Sequence, residues 1–386
     1  MDVLMTGLEW FGQRPGGLPR YLMDFSRAWL ERGHRGRVLV RVPPTSGRSA
    51  LPTYVRGVEV AGGPWAVRRA WADVYREELA RRSFDVFNPH FAYYAWAWDR
   101  GAVDIPVVTH FHGPWAYEAR AERQGRAPWV TDLIFRAQRS IEQRVYRTSD
   151  QFIVLSEAFA HQLRDLYGVP EDRIHVIPGA VDTERFTPAQ DKVAVRRQLG
   201  LPQDRLVLLT VRRLARRMGI ENLLEAVADL HREFPEVYLV IVGGGSLRLE
   251  LERRVAALGL TDKVHFAGRI ADEWLPKYYQ AADLMVVPSL SWEGFGLVTV
   301  EAMACGTPVA GTPVGGTKEI LTGFSPHLLF PGATATDICN GLRHILAAPQ
   351  RLPRAAQTRQ YVLAHYTWDA VVTQVERVFQ LAGGRG

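Results

Sequence analysis

The stretch VVPSLSWEGFGLVTVEAMACGTPVAGTPVGGTKEI, residues 286–320, reads as a strand, a loop, a helix, a second short strand and a Gly-rich turn. Leu284 to Val287 is a short apolar run that Pro288 and Ser289 end. In an open α/β sheet the carboxyl end of such a strand faces a ligand crevice. Gly294 and Gly296 flank Phe295, so the backbone there can approach a ligand closely and present free N–H groups where a helix begins at Leu297 and Val298. A helix start of this kind attracts phosphate. Glu301 follows Leu297 by four residues on the same helix face, in position to accept hydrogen bonds from hydroxyls of a bound phosphate compound. Glu293 precedes Glu301 by eight residues. Taken alone, such a pair also reads as a solvated loop acid and a Glu that favours the helix dipole.

Strand-like runs on either side of this stretch, at residues 206–211, 237–242, 264–266 and 308–310, alternate with helical segments. Earlier in the chain the same rhythm occupies residues 3–6, 37–42, 86–87, 107–110, 151–155 and 175–177. This alternation predicts parallel, doubly wound sheets, and its restart predicts two domains, joined between Phe186 and Leu201. Three further loops follow strands. Pro15, Gly16 and Gly17 lead into an amphipathic segment, Leu18 to Arg32, and read either as a plain turn or as a phosphate or sugar site. Arg213, Arg216 and Arg217 cluster before a helix expected near Glu221; three guanidiniums neutralise a diphosphate without a metal, and a solvated basic loop is the plainer reading. Gly243 to Gly245, centred on Gly244, follow another strand. His112, in THFHGPW, sits past a strand's carboxyl end, with His110 the second candidate.

Residues 286–320 resemble the donor-binding motif of the retaining glycosyltransferases of family four, which have the GT-B fold. The matching residues are Glu293-Gly294-Phe295-Gly296, Glu301-Ala302-Met303-Ala304, Gly306 and Pro308. The resemblance extends to Pro15–Gly17 with Arg32–His34, to His112 followed by Gly113, to Arg213, and to Gly315-Gly316 with Glu319. It departs at Gly179-Ala180, where the family has Asn-Gly, and at Met218, which stands where the family has a phosphate-binding Lys. A thioether is no cation, so Arg217 or Arg216 is expected to take that role.

The resemblance implies an α/β fold of two doubly wound Rossmann-like domains facing a cleft. Residues 1–188 would bind the acceptor, residues 189–365 the nucleotide-sugar donor, and residues 366–386 would return as a helix to the first domain. It implies that His112 and Glu293 serve the transferred sugar as catalytic residues. The donor would be held by Gly16, Gly17, Arg213, Arg217, Gly244, Phe295, Gly296, Leu297, Val298 and Glu301, with Glu301 on the ribose. The implied reaction moves a hexosyl unit from a UDP- or GDP-sugar to an acceptor hydroxyl with retention, in polysaccharide, glycolipid or glycoside biosynthesis. No Asp-x-Asp occurs, so neither a metal nor a cofactor is expected. The alternatives are a nucleotide-sugar epimerase of GT-B fold, a related phosphorylase, for which only Lys318 of four lysines is close to the site in sequence, and a non-catalytic nucleotide-sugar binding protein.

Composition is that of a globular chain: 386 residues, 47% hydrophobic and 10% aromatic. The net charge of +6 is spread rather than gathered in an arm, so no nucleic-acid partner is expected. Cys305 and Cys339 show neither metal-ligand spacing nor a disulfide framework. The start MDVLMTGLEWFG lacks a basic segment before an apolar one, and a cytoplasmic location is expected. For the acceptor, the sequence leaves a sugar, a glycoside or a lipid-linked group open. Residues 64–82 mix Trp65 and Trp71 with Arg68, Arg69, Arg76, Arg81 and Arg82, and Phe91–Trp98 and Trp115–Phe135 add aromatics. That pattern suits peripheral contact with an anionic membrane face, while core packing of the tryptophans is the plainer reading.

Overall fold

Strands β1 (Asp2–Glu9), β2 (Arg35–Val42), β3 (Val55–Glu59) and β4 (Val86–Pro89) pair in parallel in the order β3-β2-β1-β4. Strands β5 (Val108–Phe111), β6 (Gln151–Val154) and β7 (Ile174–Val176) follow as a second parallel set, and a bridge between Phe87 and Val107 links the two. The computed structural model describes residues 1–43, 51–123 and 127–384; residues 124–126 of the aromatic segment noted above lie outside it. Met1–Gly179 with Trp368–Gly386 forms one unit and Ala180–Thr367 the other.

In the first unit β1 is buried along nearly its whole length, as a strand covered on both faces must be. The strand order reverses beside it, which makes the carboxyl ends of β1 and β4 the switch point of this sheet. The helix Gly17–Glu31 buries Tyr21, Leu22, Phe25 and Trp29 along one stripe at helical spacing. The closing helix Trp368–Ala382 belongs to this unit: Phe379 meets Trp29 at 5.3 Å between ring centroids, and Asp369 pairs with Arg32. Strand β3 was absent from the sequence reading. It is an edge strand, VRGVE, with only two apolar residues to bury, so its pattern is faint.

The arginine-rich helix Pro64–Arg81 turns Trp71 fully inward, stacked on Tyr94 at 4.4 Å, and leaves Trp65 70% exposed. Half of the proposed aromatic stripe is therefore core. Arg56 reaches Glu77 and Glu78 on the same helix at 2.5 and 2.7 Å. On the helix Pro128–Thr148, Glu142 is buried and accepts hydrogen bonds from the Tyr167 hydroxyl at 2.6 Å and the Ala116 N–H at 3.3 Å. Burial pushes its carboxyl up to about 7, against the partial offset of those hydrogen bonds.

The second unit is a five-stranded parallel sheet of β8 (Leu206–Val211), β9 (Val237–Val242), β10 (Val264–Gly268), β11 (Leu284–Val287) and β12 (Val309–Gly311), ordered β10-β9-β8-β11-β12. Its switch point lies between β8 and β11. The first division between units falls at Gly179/Ala180, earlier than the 186–201 join and the 188/189 boundary read from sequence, and the second at Thr367/Trp368, two residues after the expected 365/366 boundary. Residues 181–186 are tied into the second unit by hydrogen bonds: Val181 N–H donates to Tyr366 at 3.1 Å, and Arg359 donates to the carbonyls of Thr183 and Phe186 at 2.9 and 2.8 Å. A polar stretch marks loop, not the change of core. Among the described residues no helix is long and apolar enough to cross a membrane.

Candidate functional site

At the β8/β11 switch point Arg212, the residue after β8, donates from Nη2 to both the Ser289 hydroxyl and Glu293 Oε2. Ser289 Oγ also donates to Glu293 Oε2, at 2.7 Å. Arg212 and Glu293 are almost enclosed, with side-chain exposures of 7% and 9%. Burial alone would raise the Glu293 carboxyl, but the Arg212 guanidinium, the Ser289 hydroxyl and the charge of Arg217 outweigh it and hold the group below its ordinary range. The solvated-acid reading of Glu293 is thereby overturned. Arg212 Nε–H has no partner among the described residues, which leaves a buried donor at the site. Sequence reading passed over Arg212, because the motif draws attention to Arg213 and nothing in RR distinguishes the inward side chain from its neighbour.

The loop carrying Glu293 is braced from below. Gly315 has φ 53°, and a Cβ on it would stand 1.9 Å from the Glu293 carbonyl oxygen; the N–H of Gly316 donates to that same oxygen at 3.2 Å. Across the sheet, Gly243 has φ 136° and would drive a Cβ to 1.9 Å from the Arg212 carbonyl oxygen. Only glycine fits either place. Gly244 accepts from the Leu214 N–H at 3.0 Å, so the glycine run packs against the Arg212–Leu214 loop. Trp292 is the one described non-glycine residue at positive φ, 55°, beside Glu293, and its carbonyl accepts from Arg217 Nη1 at 2.9 Å. Strain of this kind, about 1–3 kcal/mol, collects at functional loops.

Of the two arginines weighed as substitutes for the absent lysine, Arg217 lies against the 292–293 loop, while Arg216 pairs with Glu221 at 3.4 Å and Glu250 at 3.2 Å on the surface. Met218 is buried. The helix Leu297–Ala304 starts behind Gly296 with no side-chain cap and no acid in its first turn, so no capping side chain takes up its N-terminal N–H groups. Leu297 and Val298 are half-buried there, and Phe295 is buried with its ring 5.6 Å from that of Tyr366. Glu301 is 5% exposed, and its Oε2 accepts from the Tyr279 hydroxyl at 2.7 Å. Nothing in the sequence motif points to Tyr279, which arrives from a separate helix, Leu275–Ala281.

In the first unit, at the carboxyl ends of β4 and β5, three histidines gather where the sequence reading named two. His90 Nδ1 lies 3.0 Å from His112 Nε2, and the rings of His90 and His110 stack at 4.3 Å. Tyr21 packs against all three, at 5.9, 5.6 and 5.0 Å from His90, His110 and His112. Burial pushes His112 down to about 3 and, with the neighbouring imidazoles, His90 and His110 well below the ordinary range, so all three are neutral near pH 7. His90, in FNPH, went unnoticed because only the fold brings it beside His112. Gly16 and Gly17 are exposed at the uncapped start of the helix Gly17–Glu31, and nothing lies within 4 Å of where a Cβ on Gly17 would stand.

Comparison with known proteins matches residues 15–185 to the family described as Glycosyltransferase Family 4 and residues 191–362 to that described as Glycosyl transferases group 1. D-inositol 3-phosphate glycosyltransferase 2 of Catenulispora acidiphila is 35% identical, with 94% of this chain and 90% of the relative covered. The D-inositol 3-phosphate glycosyltransferase of Geodermatophilus obscurus is 31% identical over 95% of this chain and 85% of its own length. Among solved structures, sucrose-phosphate synthase from Thermosynechococcus elongatus superposes with a TM-score of 0.82 at 25% identity, covering 100% of both chains. Anabaena HepE, in complex with UDP and glucose, gives 0.78 at 20% identity over 99% of this chain and 100% of its own, a likeness of fold. Two Rossmann-like units with parallel sheets and relatives matched over nearly the whole chain lead to one conclusion: this protein belongs to the family 4, or group 1, glycosyltransferases, which have the GT-B fold.

Proposed function

We propose that the chain transfers a hexosyl unit from a nucleotide-sugar, a UDP- or GDP-sugar, to an acceptor hydroxyl with retention of anomeric configuration and without a metal ion or cofactor. The observation that carries this reading is the β8/β11 switch point, where a buried Arg212–Ser289–Glu293 network, Arg217 and an uncapped helix start stand together. Arg213, Arg217 and the N–H groups at Leu297 and Val298 would stabilise the charge that develops on the leaving nucleoside diphosphate. Glu301, held by Tyr279, serves the ribose. Glu293 and His112 are assigned to the transferred sugar, and Gly16, Gly17, Gly244, Phe295 and Gly296 to the donor. HepE was crystallised with UDP and glucose, which supports a UDP-sugar as the first donor to try. The names of the two relatives and of the synthase make a phosphorylated polyol or sugar the first acceptor to try. A lipid-linked acceptor with peripheral membrane contact is the second reading, favoured by Trp129 and Leu133, 71% and 63% exposed one turn apart on the helix Pro128–Thr148. Flotation with anionic vesicles separates the two.

Incubation with UDP- and GDP-sugars, with and without acceptor and in excess EDTA, tests the reaction. Release of nucleoside diphosphate is expected to persist with EDTA; its complete loss, restored by magnesium, would overturn the arginine-based phosphate site. A second expectation concerns affinity. Replacing Arg213 with alanine should weaken nucleoside diphosphate binding by about 1.5–3 kcal/mol, the range for a hydrogen bond to a charged group. Calorimetry that finds parent affinity removes Arg213 from the phosphate site.

A further inference from the structure

The hydrogen bonds around Asn88 determine which nitrogen of His112 carries the proton. Asn88, buried on β4, places Nδ2 against the Val108 carbonyl oxygen, which only accepts, so the amide NH2 must point there. The same Nδ2 donates to His110 Nδ1 at 2.9 Å. Oδ1 is thereby left facing His90 Nε2 at 2.9 Å and must accept from it. His90 is neutral in this enclosed setting, so a proton on Nε2 leaves Nδ1 as a bare lone pair. That lone pair lies 3.0 Å from His112 Nε2, which must be the donor. His112 is then the Nε2–H tautomer, and its Nδ1 is an acceptor with no hydrogen bond among the described residues.

We propose that Asn88 and His90 are positioning residues that hold His112 in the Nε2–H tautomer, so that its Nδ1 accepts a hydrogen bond from a hydroxyl of the transferred sugar. The assignment of a sugar to His112 rests on the function proposed above; the tautomer does not. Two features of the ring packing keep the relay rigid. His90 is stacked on His110 and closed in by Tyr21 and by Phe25, whose ring centroid is 5.8 Å away, so its imidazole has no room to flip. Tyr21 also meets the His112 ring nearly edge-on, at 68° between planes, which fixes the direction of Nδ1. A His112 free to exchange tautomers would present a donor at Nδ1 for part of the time and could not then accept the hydroxyl's proton.

The full-length protein labelled with 15N-histidine tests the first half directly. The His112 signals, identified by their loss in His112→Asn, are expected to show an unprotonated Nδ1 and a protonated Nε2. A protonated Nδ1 in the parent protein overturns the proposal without recourse to any variant. His90→Phe keeps a ring but removes the acceptor, and should shift the His112 signals toward a mixture of tautomers; His90→Asn puts an amide oxygen at the place of Nδ1 and should restore the parent pattern. In nucleotide-sugar turnover, His90→Phe should lower kcat about tenfold or more with donor KM within twofold, and His90→Asn should recover most of the loss. Parent kcat in His90→Phe with a disturbed tautomer removes the positioning role. If the parent itself turns over no nucleotide-sugar while the tautomer is as stated, the proposed function fails and the relay stands.

Discussion

Replacing Arg212 with methionine is expected to lower stability by about 3–5 kcal/mol, the cost of leaving a buried charge without its partner. Glu293 is 9% exposed, and the Arg212 guanidinium, ahead of Ser289 and the charge of Arg217, is the largest influence that keeps it ionised despite burial. Methionine fills much of the volume but leaves a carboxylate with one hydrogen-bond donor, Ser289, in a closed site. Adding Glu293→Gln in the same chain should recover a large part of the loss, because a neutral amide tolerates the methionine that a carboxylate does not. Urea denaturation of the parent, both single variants and the double variant measures this coupling. Equal stability of Arg212→Met and the parent would show that the pair is not the buried network described here.

The second large effect is a pH dependence located in the first unit. Burial raises Glu142 from about 4.5 to about 7. The folded protein therefore holds this proton more tightly than the unfolded chain does. The stability contributed by the neutral acid is complete below about pH 4.5 and is lost as pH rises through about 7, a fall of about 3 kcal/mol at about 1.4 kcal/mol per unit. Glutamine at this position keeps an acceptor for the Tyr167 hydroxyl and the Ala116 N–H and has no proton to lose. Glu142→Gln should thus match the parent near pH 5 and exceed it at pH 8. A stability difference that stays constant between those two pH values would contradict the assignment.

The two strand–helix series were legible because parallel strands buried on both faces read as short apolar runs, and the runs at 206–211, 237–242 and 284–287 match strands to the residue. Strand β3 and the boundary between units were not legible. An edge strand buries too little to leave a pattern, and the boundary depends on which core Val181 and Phe186 join, a matter of contacts with Tyr366 and Arg359 far along the chain.

The sequence by itself determined the family, the positions of the two glutamates and the helix start between them, because spacing along one strand–loop–helix unit is local and survives without any knowledge of the fold. It also marked His112, by its place after a strand. Only the tertiary structure decided that both glutamates are buried rather than solvated, that Arg212 is the arginine buried against Glu293, that Arg217 rather than Arg216 lies beside Glu293, and that Tyr279 and His90 join Glu301 and His112. The partners in these pairs lie 81 residues apart for Arg212 and Glu293 and 22 for both Tyr279 with Glu301 and His90 with His112, separations that the fold of each unit closes. Hydrogen-bond direction, charge pairing and burial are properties of those folded units, and no periodicity in the chain encodes them.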